Sequence, residues 1–248
     1  MSTLILALAA GAVIGLALGA LGGGGSVLAV PALIYLLGFT PAAATTASLI
    51  IVTATSATAL YAHATSGNVR WKTGVLFAAA GIVPAITAAT LATRLPETVL
   101  TAAFAAIAAL AALAMLRTPA ANPQPQPVRP VRAAGAGAGL GAVTGFLGVG
   151  GGFLAVPALV GVLGLRMRAA VGTSLLVITV NSLAALAARA GTSTPLDWAV
   201  IAPFTGAAIL GAWDGKRLAA KISGPTLQRI FAIVLLAVAA LMLTDALH

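Results

Sequence analysis

The sequence predicts an all-α polytopic membrane protein of two inverted repeats, each a Gly/Pro-interrupted hairpin followed by three transmembrane helices. Three observations lead there. Of the 248 residues, 60% are apolar and 7% are charged, with a mean hydropathy of +1.10, whereas a soluble domain carries about 25% charged residues. One stretch of 20 residues occurs twice, as GALGGGGSVLAVPALIYLLG at 19–38 and GFLGVGGGFLAVPALVGVLG at 145–164, with 13 positions identical at an offset of 126. The basic residues between the apolar runs fall in different loops of the two halves, as opposite insertion of the repeats requires. Repeated halves in so apolar a chain point to a transporter.

A helix needs about 20 apolar residues to cross the hydrocarbon. Five segments recur per half, expected at 3–21, 26–38, 42–64, 73–93 and 97–116, then at 133–147, 152–164, 169–190, 197–214 and 225–247. The run from Thr3 to Leu21 lacks a basic leader and has a counterpart in mid-chain, so it reads as a structural helix and not as a signal peptide. Segments 26–38 and 152–164 are only 13 residues long, follow a Gly cluster and hold Pro31 and Pro157. They read as broken or re-entrant helices, because unpaired backbone is tolerated at membrane depth only where it is buried or lines a cavity. The third segments match through Ser48/Ser174 and Leu49/Leu175. After a one-residue insertion the fourth match through Trp71/Trp198 and Leu91/Leu218, and the fifth through Leu100/Leu227 and Phe104/Phe231. Between the halves, PAANPQPQPVRPVR at 119–132 is too rich in Pro to stay helical and reads as an extended strap. The expected organisation is a membrane repeat at 1–116, a linker at 117–132 and an inverted repeat at 133–248.

A net charge of +9 would point to nucleic acid in a soluble protein. Here the cations sit between apolar runs and act as orientation signals, so nucleic acid is not expected as a partner. Arg70 and Lys72, then Arg117, Arg129 and Arg132, then Arg166 and Arg168, and finally Lys216, Arg217, Lys221 and Arg229 are expected to be cytoplasmic. Their counterparts are poor in charge: Gly38–Ala42 has none, Arg94 is offset by Glu97, and Arg189 by Asp197. This works if each hairpin enters and leaves on one face, with both termini outside a bacterial inner membrane and the linker inside. The chain has no cysteine, which excludes disulfides and thiol chemistry, and its two histidines, His63 and His248, do not make a metal site. No cofactor is expected. H-E-x-x-H and G-x-S-x-G are absent, and no carboxylate pair lies within a span, so the chain does not read as an enzyme.

No Lys or Arg falls in the middle of an expected span, so an anion would be held by amides, hydroxyls and helix dipoles. The Gly turns supply the amides and the dipoles. Gly22, Gly24, Gly25 and Ser26 in one half, with Gly150, Gly151 and Gly152 in the other, let backbone N–H groups approach a ligand at the positive ends of two short helices. A second layer comes from the third segments. Ser48 and Thr55, seven residues apart, share a helix face; Ser174 and Asn181 are their counterparts, and Thr173 stands at the mouth of its helix. His63 and Arg189 occupy equivalent positions at helix ends. Interfacial anchoring is one role for them; proton coupling by His63 and attraction of anions or gating by Arg189 is the other.

The Gly-rich run followed by L-x-V-P-x-L, at Leu28–Leu33 and again at Leu154–Leu159, resembles the sulfite exporter TauE/SafE family of transporters for sulfur-containing anions. The resemblance covers nearly the whole chain. It implies a carrier in the lipid bilayer that moves a small anion such as sulfite, thiosulfate or an organosulfonate by alternating access. Proton or ion coupling and a homodimer are left open by the sequence. So are a channel or carrier for a different small solute, and a scaffold subunit that transports nothing.

Overall fold

A computed structural model describes residues 2–92, 97–117, 130–147, 152–188 and 196–246, and every regular element among them is helical. The helices are α1 (Ser2–Leu21), α2 (Gly24–Pro31, continued by a π-helical turn over Ala32–Leu36), α3 (Pro41–Ala64), α4 (Trp71–Ala92), α5 (Glu97–Arg117), α6 (Pro130–Leu147), α7 (Gly152–Gly161), α8 (Met167–Ala188), α9 (Trp198–Lys221) and α10 (Gly224–Ala246). Five of them contain stretches long and apolar enough to cross a bilayer: Thr3–Leu21, Ala43–Ala64, Trp71–Ala88, Met167–Ala187 and Gly224–Leu241. Large apolar side chains such as Ile5, Leu110, Leu210 and Leu241 face outward at 62–71% exposure, which suits lipid and not water. The fold is that of a polytopic membrane protein.

Local chemistry explains where the helices start and stop. Thr40 accepts a hydrogen bond from the Ala43 N–H at 3.4 Å and Pro41 fills the first helical position of α3. Asp197 accepts from the Ala199 N–H at 3.0 Å to open α9. After the π turn of α2, Gly38 takes a φ of +70°, with Phe39 N–H donating to the Leu33 carbonyl at 3.0 Å. Gly164 does the same after α7 at φ +65°, with Leu165 N–H donating to the Leu159 carbonyl at 3.0 Å. Both are left-handed closures that a side chain would strain.

Two boundaries differ from the sequence expectation. α6 begins at Pro130 and takes Arg132 into the helix, because proline's missing N–H costs nothing in the first turn. The rest of the Pro-rich linker, 118–129, lies outside the described residues. α9 runs on to Lys221, seven residues beyond the expected end at 214. Its charges are met locally: Arg217 pairs with Asp214 at 3.3 Å, and the Lys216 ammonium donates to the Ala62 carbonyl at the end of α3. Lys216 and Arg217 were expected in a loop; they belong to a helix.

Packing runs between the halves more than within them. In α1, a Cβ added to Gly11, Gly15 or Gly19 would fall within 2.4 Å of the carbonyl of Phe204, Ala208 or Ala212 of α9. α9 returns the contact through Gly211 and Gly215, which lie on Ala12 and Leu16. The same seam occurs between α6 and α4, where Gly137 lies on Phe77 and Gly141 on Gly81. At the repeat offset these are the same pairs, since Gly11 corresponds to Gly137, Gly15 to Gly141, Phe204 to Phe77 and Ala208 to Gly81. In both seams the paired residues rise together along the chain, so α1 runs parallel to α9 and α6 to α4. α3 crosses α8 antiparallel, with Ser56 beside Thr179 and Asn68 beside Gly172. α5 meets α10 antiparallel where Gln228 donates to the Met115 carbonyl. Two large apolar clusters and a smaller one around Leu18 and Leu175 fill the spaces; the large ones centre on Ile14, Leu33, Ile51 and Phe204 and on Phe77, Leu159, Phe231 and Leu235, and Leu28 of α2 touches both.

In lipid, where apolar burial gives helices no reason to associate, such small-residue seams supply close packing instead. α6 offers an internal control. Gly141→Ala places a methyl 2.1 Å from the Gly81 carbonyl oxygen, whereas Gly139 has nothing within 4 Å. In detergent, Gly141→Ala is expected to destabilise the protein by about 1–3 kcal/mol, and Gly139→Ala to leave it unchanged or stabilise it by up to about 1 kcal/mol. Equal melting temperatures for the two variants would mean that the seam is not holding the fold.

Candidate functional site

The first Gly cluster is a turn buried inside the protein. α1 ends at Leu21, and the φ of +72° at Gly22 turns the chain while the Gly22 N–H donates to the Leu18 carbonyl at 2.8 Å. Gly23 then stands at the N-cap of α2 with no side chain capping the helix. The first-turn N–H groups of Gly24, Gly25 and Ser26 have no carbonyl of their own helix to meet, and the positive end of its dipole opens into the interior. Further on, Pro31 has no N–H to give, and the backbone widens into the π turn.

The turn presses on the opposite half. A Cβ on Gly22 would lie 2.4 Å from Ser174 Oγ, 3.3 Å from Val156 Cγ2 and 3.3 Å from Val171 Cα, so α7 and the first turns of α8 form its floor. Gly150 and Gly151 lie outside the described residues, and Gly152 is the first residue of α7.

α3 and α8 supply the hydroxyls. Ser48 donates to the Thr45 carbonyl at 2.8 Å and Ser174 to the Val171 carbonyl at 2.8 Å, the same bond at equivalent positions. Thr55 donates to the Ile51 carbonyl at 2.7 Å. These three are buried and spend their protons on their own helices, as membrane hydroxyls commonly do. Thr173 accepts from the Arg70 N–H at 3.0 Å, tying α8 to the start of α4. Asn181 is half-buried in mid-helix. At the crossing, Ser56 Oγ and Thr179 Oγ1 are 2.9 Å apart.

His63 lies inside the protein, 4% exposed, and not at a wet interface. Its Nε2 meets the Gly19 carbonyl at 3.1 Å, which can only accept, so Nε2 carries the proton and Nδ1 is left as a buried acceptor without a partner. The neighbouring Ala62 carbonyl takes the Lys216 ammonium. One cation and one imidazole therefore brace the ends of α1, α3 and α9 about one turn from Gly22. Arg189, the counterpart of His63, lies outside the described residues.

A sequence model of the sulfite exporter TauE/SafE family matches residues 7–242. The chain belongs to the sulfite exporter TauE/SafE family. Among similar proteins are two named "Probable membrane transporter protein" from Xylella fastidiosa. The one from strain 9a5c is 33% identical and the one from strain Temecula1 / ATCC 700964 is 32% identical, each over 96% of this chain and 94% of the relative. No solved structure matches the chain at a significant level. As a TauE/SafE protein it is a multi-pass membrane transport protein.

For this TauE/SafE chain the structure brings Gly22 and Ser174 together, from opposite halves. It spends Ser48 and Thr55 on backbone, and Thr173 on the α3–α4 connection. Sequence reasoning took Lys216, which sits in the extension of α9, only as a loop cation, and passed over Thr53, Ser56, Thr179 and Ser182. The repeat offset carried the signal for the last four, since Thr53 corresponds to Thr179 and Ser56 to Ser182 with identical residues.

Gly22→Ala combines a left-handed φ with the approach to Ser174 Oγ. It is expected to destabilise the protein by more than the roughly 1–2 kcal/mol of the φ strain alone. Adding Ser174→Gly should recover only the part due to the clash. Full recovery in the double variant, read from thermal unfolding, would show that φ carries no cost there.

Proposed function

We propose that this protein carries small sulfur-containing anions across the bacterial inner membrane by alternating access. Sulfite, thiosulfate and organosulfonates are the candidates, and the first is what the family's name specifies. The anion lies between the two Gly-rich turns, against α3 and α8. The observation that carries this reading is the start of α2, which no side chain caps and which follows a buried glycine turn packed on Ser174 of the other half. Such a helix start offers several N–H donors and a fixed partial positive charge, and it binds anions without a full charge to hold them too tightly. The second turn, around Gly150, Gly151 and Gly152, would contribute the matching donors from the opposite direction.

Two inverted repeats fit the helix directions. Counterparts α3 and α8 run antiparallel, as do α5 and α10, and each half lends its first helix to the other half's fourth. Alternating access then follows as a rocking of the two assemblies about a fixed centre. Cation placement supports the orientation. Arg168 donates to the Ala220 carbonyl at 2.9 Å, Lys216 to Ala62, and the Arg70 N–H to Thr173, so Arg70, Lys72, Arg166, Arg168, Lys216, Arg217 and Lys221 gather at one end of the molecule. Gln228 against Met115 brings Arg117 and Arg229 to that end too. By the positive-inside rule this end is cytoplasmic, both termini lie outside, and the linker lies inside.

His63 is the candidate for coupling. Its bare Nδ1 could take a proton beside Lys216, the charged group that faces it, when an anion arrives to offset the added charge.

Three outcomes are expected. Purified protein in liposomes shows flux of sulfite or methanesulfonate, and this collapses in the Gly25→Leu, Gly151→Leu double variant; unchanged flux there rejects the site. In the same vesicles, flux rises as the anion-loading side is acidified, and His63→Gln flattens that dependence; an unaltered pH profile removes coupling at His63. Single cysteines placed in this cysteine-free chain report the orientation. A membrane-impermeant maleimide labels residue 2 in intact cells and residue 124 only after permeabilisation, and the reverse pattern inverts the assignment.

A further inference from the structure

We propose that Thr53 and Ser182 are the side chains whose hydroxyls hold the transported oxyanion, at the crossing of α3 and α8. The inference rests on the transport reading above and goes beyond it by naming two ligand donors that lie outside the Gly turns.

A hydroxyl in a membrane helix normally gives its proton to a carbonyl one turn back. Ser48, Thr55, Thr58, Thr144, Ser174, Thr179 and Thr205 all do so, at 2.7–3.2 Å. Among the described residues, the buried side-chain oxygens that make no hydrogen bond are Thr53 Oγ1 and Ser182 Oγ. Ser182 is 1% exposed. The two stand on facing helices and are the repeat counterparts of Thr179 and Ser56, which are hydrogen-bonded to each other at 2.9 Å. One diagonal of a four-hydroxyl crossing is therefore closed and the other is unfilled. A rotation about χ1 would offer each unfilled hydroxyl a carbonyl of its own helix, so leaving both unmet is a cost the fold carries at its centre.

The surroundings select the kind of occupant. Thr53, Thr179 and Asn181 are each half-buried in mid-helix. Lipid offers such groups no partner, and the Thr53 and Ser182 oxygens are covered by protein. Thr179 gives its proton to the Leu175 carbonyl and receives that of Ser56, so it has none to spare. Thr53 and Ser182 remain as one neutral donor from each half, facing a centre where no carboxylate is described. Two neutral donors set apart on two helices suit a small acceptor with several oxygens on one atom, as in sulfite and the sulfonates.

The test uses Thr53→Val and Ser182→Ala, singly and together, with Ser56→Ala as the control. Thermal unfolding of the ligand-free protein and binding of sulfite and methanesulfonate are both measured. Removing an unmet hydroxyl should leave the ligand-free melting temperature unchanged or raised, whereas Ser56→Ala, which loses the bond to Thr179, should lower it. Each of the two variants should weaken anion binding about tenfold, and the pair about a hundredfold. Wild-type affinity in the double variant overturns the proposal, as does a lowered ligand-free melting temperature in Thr53→Val and Ser182→Ala, which would show the hydroxyls to be structural. If the wild type binds neither anion, the transport reading itself fails on that measurement, separately from any comparison among the variants.

Discussion

Backbone pressed against backbone, along α1–α9 and again along α6–α4, is the constraint on which the remaining architecture hangs. Lipid is as apolar as the side chains it touches, so helices in it gain little by hiding leucine. What they can gain is dispersion and weak Cα–H···O contact at distances that only glycine and alanine permit. Gly11, Gly15 and Gly19 on one side and Gly137 and Gly141 on the other are spaced four apart, which keeps the bare stripe on one helix face. Because each stripe is answered by the opposite half, neither half is a closed unit. The apolar clusters, the α3–α8 crossing and the floor under the glycine turn all lie between elements that those seams have already fixed.

Polar groups follow a second rule, that each must find a partner without water. The helix ends satisfy it with Thr40, Asp197 and the glycine closures at 38 and 164. Within the spans, hydroxyls satisfy it by bonding to their own helix, and Thr173 and Lys216 by reaching across to a neighbour. The exceptions stand out for that reason. Among the described residues they are Nδ1 of His63 and two oxygens at the central crossing, all within the part of the molecule where the halves meet.

Much of this was legible in the sequence. Nine of the ten helices start and stop within about three residues of the positions expected from apolar runs and the repeat offset. That precision comes from glycine and proline, which punctuate membrane chains as sharply as soluble ones. α9 was read too short because Asp214, Lys216 and Arg217 looked like a loop. Only the fold shows that Arg217 pairs with Asp214 one turn back and that Lys216 donates to the end of α3. The glycine run at 22–25 drew notice, while the sparser stripe in α1 passed as ordinary composition. For the hydroxyls, the pattern located the helices that carry them but not the ones left unmet. That depends on rotamers and on which faces meet, and neither has a period in the sequence.

Interlocked halves also bear on biogenesis. α1 leaves the ribosome long before its partner α9, with 177 residues from Leu21 to Trp198 still to be made. At bacterial and eukaryotic synthesis rates that delay is roughly 10–40 s. During it, α1 must dwell in the bilayer with its glycine stripe uncovered. Its span has a mean hydropathy of 2.5, against 1.4–1.8 for the other spans, which equips it to remain inserted alone. α6 faces no such interval, because α4 is already in place when it emerges.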